Sequence, residues 1–285
     1  MTQVRIVTDS TADLPEEVRE RLGIEMVPLQ VLFGSESFLD SITLKAEQFY
    51  DKLVAFGGLP TTSQPSPAEF MSVYERILDE TPDAAILSIH LSSQFSGTYQ
   101  SAVIANSMLE READVTVFDS RSASCGIGML VVRAAEMAQA GSSKAEIVAE
   151  IERMRNATEL YFLVETLEYL QKGGRIGKAS ALIGSILNIK PILSIDQTGV
   201  IVPVDKVRGS KKAIQRIIDL LKEKFPGDVP VSVHFAWTSQ RGSALELYEA
   251  VKASFNVAQI STTTLGPVVG AHVGPGTAAV FMQKI

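Results

Sequence analysis

At 285 residues, with 46% hydrophobic and 21% charged side chains, the chain has a globular composition and is long for a single core, so two domains are expected. A net charge of −7 without any clustered Lys/Arg stripe argues against a nucleic-acid binder, which needs positive charge for phosphate. The single cysteine, Cys125, excludes an intramolecular disulfide framework and a thiolate-based zinc site, and no apolar run is long enough to span a bilayer.

Residues 4–8 are a β-rich run ending in Asp9-Ser10-Thr11-Ala12-Asp13, a capping-rich turn into a helix that reaches Leu22. The opening residues lack a basic-then-apolar leader, which makes the cytoplasm the expected location. Residues 24–33 read as strand with a break at Pro28, and residues 43–56 carry helical spacing. In residues 59–67, LPTTSQPSP, the prolines hold Thr61, Thr62, Ser63 and Gln64 extended, and a helical period begins near Ser66. Residues 84–90 are a buried-type strand, and Ser96-Gly97-Thr98 opens the next helix. Residues 115–119 are another strand, followed through Cys125, Gly126 and Gly128 by an apolar helix ending near Gly141. Such alternation predicts a doubly wound, mostly parallel sheet whose ligands gather beyond the carboxyl ends of its strands.

An amphipathic helix at 142–156 completes the first expected domain, 1–156. The second, 157–285, begins with strand 160–165 and helix 166–172, then the basic turn Gly173-Gly174-Arg175-Ile176-Gly177-Lys178 and an apolar helix at 180–187. Strands 190–195 and 200–207 flank the hairpin signal Asp196-Gln197-Thr198-Gly199. Helices at 211–225 and 243–255 and strands at 231–236, 259–264 and 278–283 complete an α+β domain with a mixed sheet.

No phosphate-loop, His-Glu-x-x-His or Gly-x-Gly-x-x-Gly signature is present, so any imidazole chemistry falls to three histidines. His90 and His234 lie inside strands and read as packing residues. His272 lies in a Gly/Pro-rich run, 266–277, read as a loop that brings it to a ligand. Two hydroxyl clusters, Thr62-Ser63 and Ser92-Ser93 with Ser96, Gly97 and Thr98, each precede a helix start. They either cap those helices, with Ser66 and Glu69 as a capping box in the first case, or converge to bind an anion with neutral donors. Arg175, Lys178 and Arg208 offer positive charge from the second half. Cys125 reads as a small apolar filler.

Asp9-Ser10-Thr11-Ala12-Asp13, Thr62-Ser63-Gln64-Pro65-Ser66, residues 91–99 (LSSQFSGTY), Gly173-Gly174-Arg175-Ile176 and residues 270–276 (GAHVGPG) together resemble the DegV family of bacterial fatty-acid-binding proteins. The resemblance spans nearly the whole chain. It implies a two-domain carrier without turnover of its own, holding one long-chain fatty acid between its domains and presenting the carboxylate to a fatty acid kinase that makes the acyl phosphate. It implies no cofactor beyond that bound fatty acid. Thr62 and Ser93 resemble the carboxylate-binding hydroxyls, with Ser63, Ser96 and Gly97 beside them. Arg175, Arg208 and His272 resemble residues at the carboxylate end that support phosphoryl transfer or kinase docking. The apolar segments 127–132 and 181–189 are expected either to line the tunnel or to be solid core. Two alternatives are a hydrolase or acyltransferase with Ser93 or Ser96 as nucleophile and His272 as base, and a module for another small anionic metabolite.

Overall fold

The computed structural model describes residues 3–183, 189–238 and 242–285. Strand β1 (Val4–Asp9) leads through a 3-10 turn, Ser10–Ala12, to α1 (Glu16–Leu22) and β2 (Ile24–Val27). Pro28 divides the expected 24–33 strand between two sheets, since it has no N–H to donate to a ladder. Beyond it β3 (Gln30–Phe33) and β4 (Glu36–Leu39) form a hairpin, followed by α2 (Ala46–Phe56) and β5 (Thr61–Ser63). β5 pairs antiparallel with β3, opposing Thr62 to Val31, and this small sheet β4-β3-β5 was not foreseen from the sequence. Then come α3 (Pro67–Glu80), β6 (Ala85–His90), α4 (Thr98–Met108), β7 (Asp114–Asp119), α5 (Cys125–Gln139) and α6 (Lys144–Ala157).

Strands β2-β1-β6-β7 make a wholly parallel sheet. Successive side chains of a strand point to opposite faces. Val7 and Ile86 accordingly pack with Phe70, Tyr74, Ile77 and Ala102 of α3 and α4, while Ile6 and Leu87 pack with Ile127 and Leu130 of α5. The sheet is doubly wound, as expected.

The second half contains β8 (Glu159–Leu163), α7 (Glu168–Lys172), β9 (Ile189–Ile195), β10 (Ile201–Arg208), α8 (Ser210–Lys224), β11 (Val231–Trp237), α9 (Gly242–Ser254), β12 (Val257–Thr264), α10 (Pro267–Val273) and β13 (Ala278–Lys284). Its mixed sheet runs β10-β9-β8-β13-β11-β12; β11 and β12 are parallel and the other neighbours pair antiparallel among the described residues. One face packs Tyr161, Val233, Phe235 and Val280 beneath α8 and α9. The opposite face presents Leu160, Phe162, Ala236 and Phe281 to the same apolar cluster that contains α5. The second sheet is thereby pressed against the first half of the chain. Of the expected 180–187 helix, Gly184 and its neighbours 185–187 lie outside the described residues; Gly177–Leu182 is a 3-10 turn.

Residues 266–277 are the main departure from expectation, because seven of them form α10 rather than a loop. Gly266 is its N-cap, Pro267 supplies the first helical position, and Gly274, at φ +73°, ends it. Proline just inside the start and glycine just past the end are the expected punctuation of a helix.

Candidate functional site

Beyond the carboxyl ends of β1 and β6 lies a cavity of about 240 Å³. β1 has β2 on one side and β6 on the other, so the strand order reverses here, the place where open α/β sheets collect ligands. Thr11, Leu91 and Phe95 come from the loops at this reversal, and Leu160, Phe162, Ala236, Ala279 and Phe281 from the inner face of the second sheet. The third wall is α10, through Val268, Val269, His272 and Val273. Helical spacing places 268 and 272 on one face, next to 269 and 273. Apolar side chains dominate most of this lining.

Thr11, Ser124 and Thr277 also line it, but their hydroxyls donate to Asp9, Asp13 and the Val273 carbonyl; the other polar groups, Thr62, Ser63, Gln64, Ser96, Arg175 and His272, gather at one end. Ser63 and Gln64 are exposed, so this end adjoins solvent. Thr62 Oγ1 lies 2.8 Å from His272 Nε2. His272 Nδ1 has no partner among the described residues and lies against Gly173, where an added Cβ would come within 2.4 Å of it. Only glycine admits the ring at this distance. Arg175 is held by two carbonyls, donating from Nε to Phe95 (2.9 Å) and from Nη1 to Gly173 (2.6 Å). Burial first, then the Arg175 charge, pushes the His272 pKa down to about 4, so the imidazole is neutral at pH 7. One ring nitrogen then carries a proton. A bare Nδ1 costs less beside a cation and without an acceptor than an unpaired N–H does. That assigns the proton to Nε2, which donates to Thr62 and leaves the threonine O–H free to point into the cavity.

Two helix starts do meet here, but through an intermediary. Ser66 and Glu69 close a capping box on α3, so its N-terminus is occupied internally. Gln64 then spans to the start of α4, its Oε1 accepting from Gly97 N (3.1 Å). Ser96 Oγ accepts from Thr98 N (3.3 Å) and still reaches the cavity. The serines of 92–96 divide by role. Ser92 is buried and donates to the carbonyl of Gly199 in the β9–β10 turn, whereas Ser93 is exposed and outside the cavity lining, its N–H donating to Asp119. Gly97 is likewise outside the lining, and Arg208 is exposed at the end of β10. Lys178 pairs with Asp196 at 2.7 Å. Segment 127–132 does not line the cavity: Ile127, Leu130 and Val131 are solid core, and α5 sends only its approach, Ala123 and Ser124, to the wall. The Cys125 thiol is buried, donates to the carbonyl of Phe235 and has its pKa raised chiefly by burial.

Behind the cavity Asp13, from the first of the family motifs, lies near Asp40, which the sequence did not single out. Asp13 accepts from Gly266 N (3.1 Å) and Ser124 Oγ, while Asp40 accepts from Ser10 Oγ (2.7 Å) and the Val268 N–H. Together they hold the N-terminus of α10, favourable for anions, and so set the helix that carries His272. Burial pushes Asp40 up to about 7, with the Asp9 charge adding to it. Burial and the Asp40 charge also raise Asp13.

The model of the DegV family, described as uncharacterised protein, matches residues 3–284. The chain belongs to the DegV family. It is 40% identical over 274 residues to protein DegV of Bacillus subtilis, covering 96% of each chain. Among solved structures it is similar to a DegV family protein from Thermus thermophilus described by its fatty acid binding, with TM-score 0.92, 36% identity and full coverage of both chains. It is also similar to DegV from Bacillus subtilis, described as a fatty acid binding protein, with TM-score 0.89 and 38% identity over all of both chains. In this DegV chain no group of three or more His, Cys, Asp or Glu is placed to hold a metal among the described residues, and no described helix is long and apolar enough to cross a membrane.

Proposed function

We propose that this chain is a cytoplasmic carrier that binds one long-chain fatty acid between an N-terminal domain, 1–156, and a C-terminal domain, 157–285, and presents the carboxylate to a fatty acid kinase. The observation that carries this reading is the polarity of the cavity: mostly apolar walls, whose hydroxyls at Thr11, Ser124 and Thr277 are spent on Asp9, Asp13 and the Val273 carbonyl, and at the solvent end the Thr62 hydroxyl, the neutral His272 ring and Arg175. A carboxylate accepts from the first and meets the charge of the third, while an alkyl tail lies against Leu160, Phe162, Val268 and Phe281. Burying about 15 methylenes of a sixteen-carbon tail, at about 0.8 kcal/mol each, contributes roughly 12 kcal/mol before ordering costs. The description of the Thermus thermophilus and Bacillus subtilis relatives as fatty acid binding supports the same ligand class. A carboxylate end adjoining solvent supports its presentation to a second protein.

The hydrolase reading has less to support it. The hydroxyl in contact with His272 belongs to Thr62, Ser96 is within 2.9 Å of Thr98 instead, and no acid among the described residues orients Nδ1. Calorimetric titration with saturated fatty acids of ten to sixteen carbons tests the main reading. Affinity should climb by up to about four-fold per methylene. A flat series would favour a site for small anions and overturn the carrier assignment. Incubation of loaded protein with a purified fatty acid kinase and ATP should yield acyl phosphate, and no product would remove the presentation step alone.

A further inference from the structure

A second cavity, of about 300 Å³, lies on the other side of Leu160, Ile195 and Phe281, residues whose side chains wall both cavities. Its lining is polar and cationic, including Arg121, Arg155, Ser122 and Asn156. We propose that this second cavity is a binding site for a phosphate monoester, its phosphate held between Arg121 and Arg155.

The charges around the cavity are not balanced. Glu159 is taken by Lys224 (3.2 Å). Asp196 is taken by Lys178 and accepts three further bonds from Thr198 and Val200. Each carboxylate in the lining is thus spoken for, and Lys224 with it. The two arginines remain. Arg155 donates to the Asp119 carbonyl at 2.8 Å, stacks on Phe118 at 4.7 Å and reaches Glu152 only at 3.7 Å. Arg121 donates to the Gln197 carbonyl at 3.1 Å, and its own N–H to the Asp119 carboxylate. Bonds to neutral carbonyls and one long pairing with Glu152 leave Arg155 only partly compensated, and the Arg121 guanidinium has no carboxylate partner among the described residues. Burial and the neighbouring Arg121 lower the Arg155 pKa, against the opposing pull of Glu152 and Asp119. An anion between them relieves this repulsion.

Donor count distinguishes phosphate from carboxylate. Ser122 Oγ and the Asn156 amide line the cavity and make no hydrogen bond to the described residues. Two guanidiniums, a hydroxyl and an amide offer more donors than the two oxygens of a carboxylate can use. The volume also exceeds that of one phosphate ion, leaving room for an esterified group.

Calorimetry on the full chain with inorganic phosphate, phenyl phosphate and acetate tests the assignment. Both phosphates should bind saturably, phenyl phosphate the tighter and acetate at least about ten-fold weaker. Arg121→Gln, an exposed change that leaves the fold intact, should weaken phosphate at least about ten-fold, and Lys206→Gln on β10 should leave it unchanged. Arg155→Gln should do the same as Arg121→Gln, provided its circular dichroism matches the parent. Absence of saturable heat, equal affinity in Arg121→Gln, loss in Lys206→Gln, or acetate binding as tightly as phosphate would each overturn the site.

Discussion

His90 and His272 are both histidines drawn out of water at the carboxyl side of the first sheet, and they differ in how their hydrogen bonds close. His90 is fully buried in a complete chain: Tyr74 O–H donates to Ser88 (2.8 Å), Ser88 lies 2.6 Å from His90 Nε2, and His90 Nδ1 lies 3.0 Å from Asp9. Asp9 also accepts from Thr11 and from Leu91 N. Nothing in that chain is left for a ligand. His272 has one neighbouring hydroxyl, which opens on the cavity, and one ring nitrogen with no partner among the described residues. Saturation marks a polar group that locks loops together, and an open valence marks one that meets a ligand.

The contrast breaks most sharply on stability. Asp9→Ala removes the acceptor that ties β1 to the loop after β6 and leaves buried donors unpaired, so urea denaturation should show a loss of about 3–5 kcal/mol. Its remaining folded fraction should bind palmitate as the parent does. A loss below 1 kcal/mol would mean the His90 chain is not what joins these loops. His272→Gln should instead separate from the parent by pH. The folded pKa near 4 lies below the ordinary 6.5, so between those values the unfolded chain holds the extra proton; the stability is intact above 6.5 and lost as pH falls toward 4. Asp40, raised from 3.8 to about 7, and Asp13 act in the opposite sense, their cost growing as pH rises. Subtracting parent from variant cancels both. From pH 7 to pH 5 the variant should gain about 2 kcal/mol relative to the parent. No relative gain would mean that the imidazole is solvated in the folded chain.

Much of this architecture was legible because local chemistry determined it. Alternating strands and capped helices announced the parallel sheet, and Ser66-Pro67 with Glu69 announced a cap that the structure contains. The small sheet was obscured because β5 has only three residues and pairs across a distance in sequence with β3. α10 was obscured because glycines at 266, 270, 274 and 276 read as a loop, although Gly266 and Gly270 are needed there for close approach to Asp13 and to Tyr50 and Phe49. The cavity wall was legible only in part, since Leu160, Phe162 and Phe281 alternate along strands that look the same whether they face a core or a ligand. Asp40 carried no signal at all; its importance comes from contacts with Ser10 and Val268, distant in sequence.

Thr62 sharpens the comparison at the smallest scale, because the open end depends on a single O–H. Threonine and valine share a shape, so Thr62→Val removes the hydroxyl while keeping β5 and its pairing with Val31. Serine restores the donor without the methyl group. If His272 Nε2 donates to Thr62 and the threonine proton serves the carboxylate, palmitate affinity in Thr62→Val should fall about ten-fold, near 1.4 kcal/mol, while Thr62→Ser stays within about three-fold of the parent. Thr62→Val also strips the buried His272 Nε2–H of its acceptor, so its melting temperature should fall by a few degrees, while that of Thr62→Ser should barely move. Equal affinity in all three would place the carboxylate elsewhere, with Arg175, Ser96, Ser63 and Gln64 as other donors at that end. A fall in both variants would assign the contribution to the methyl group, and the polar end would then be recognising shape rather than charge.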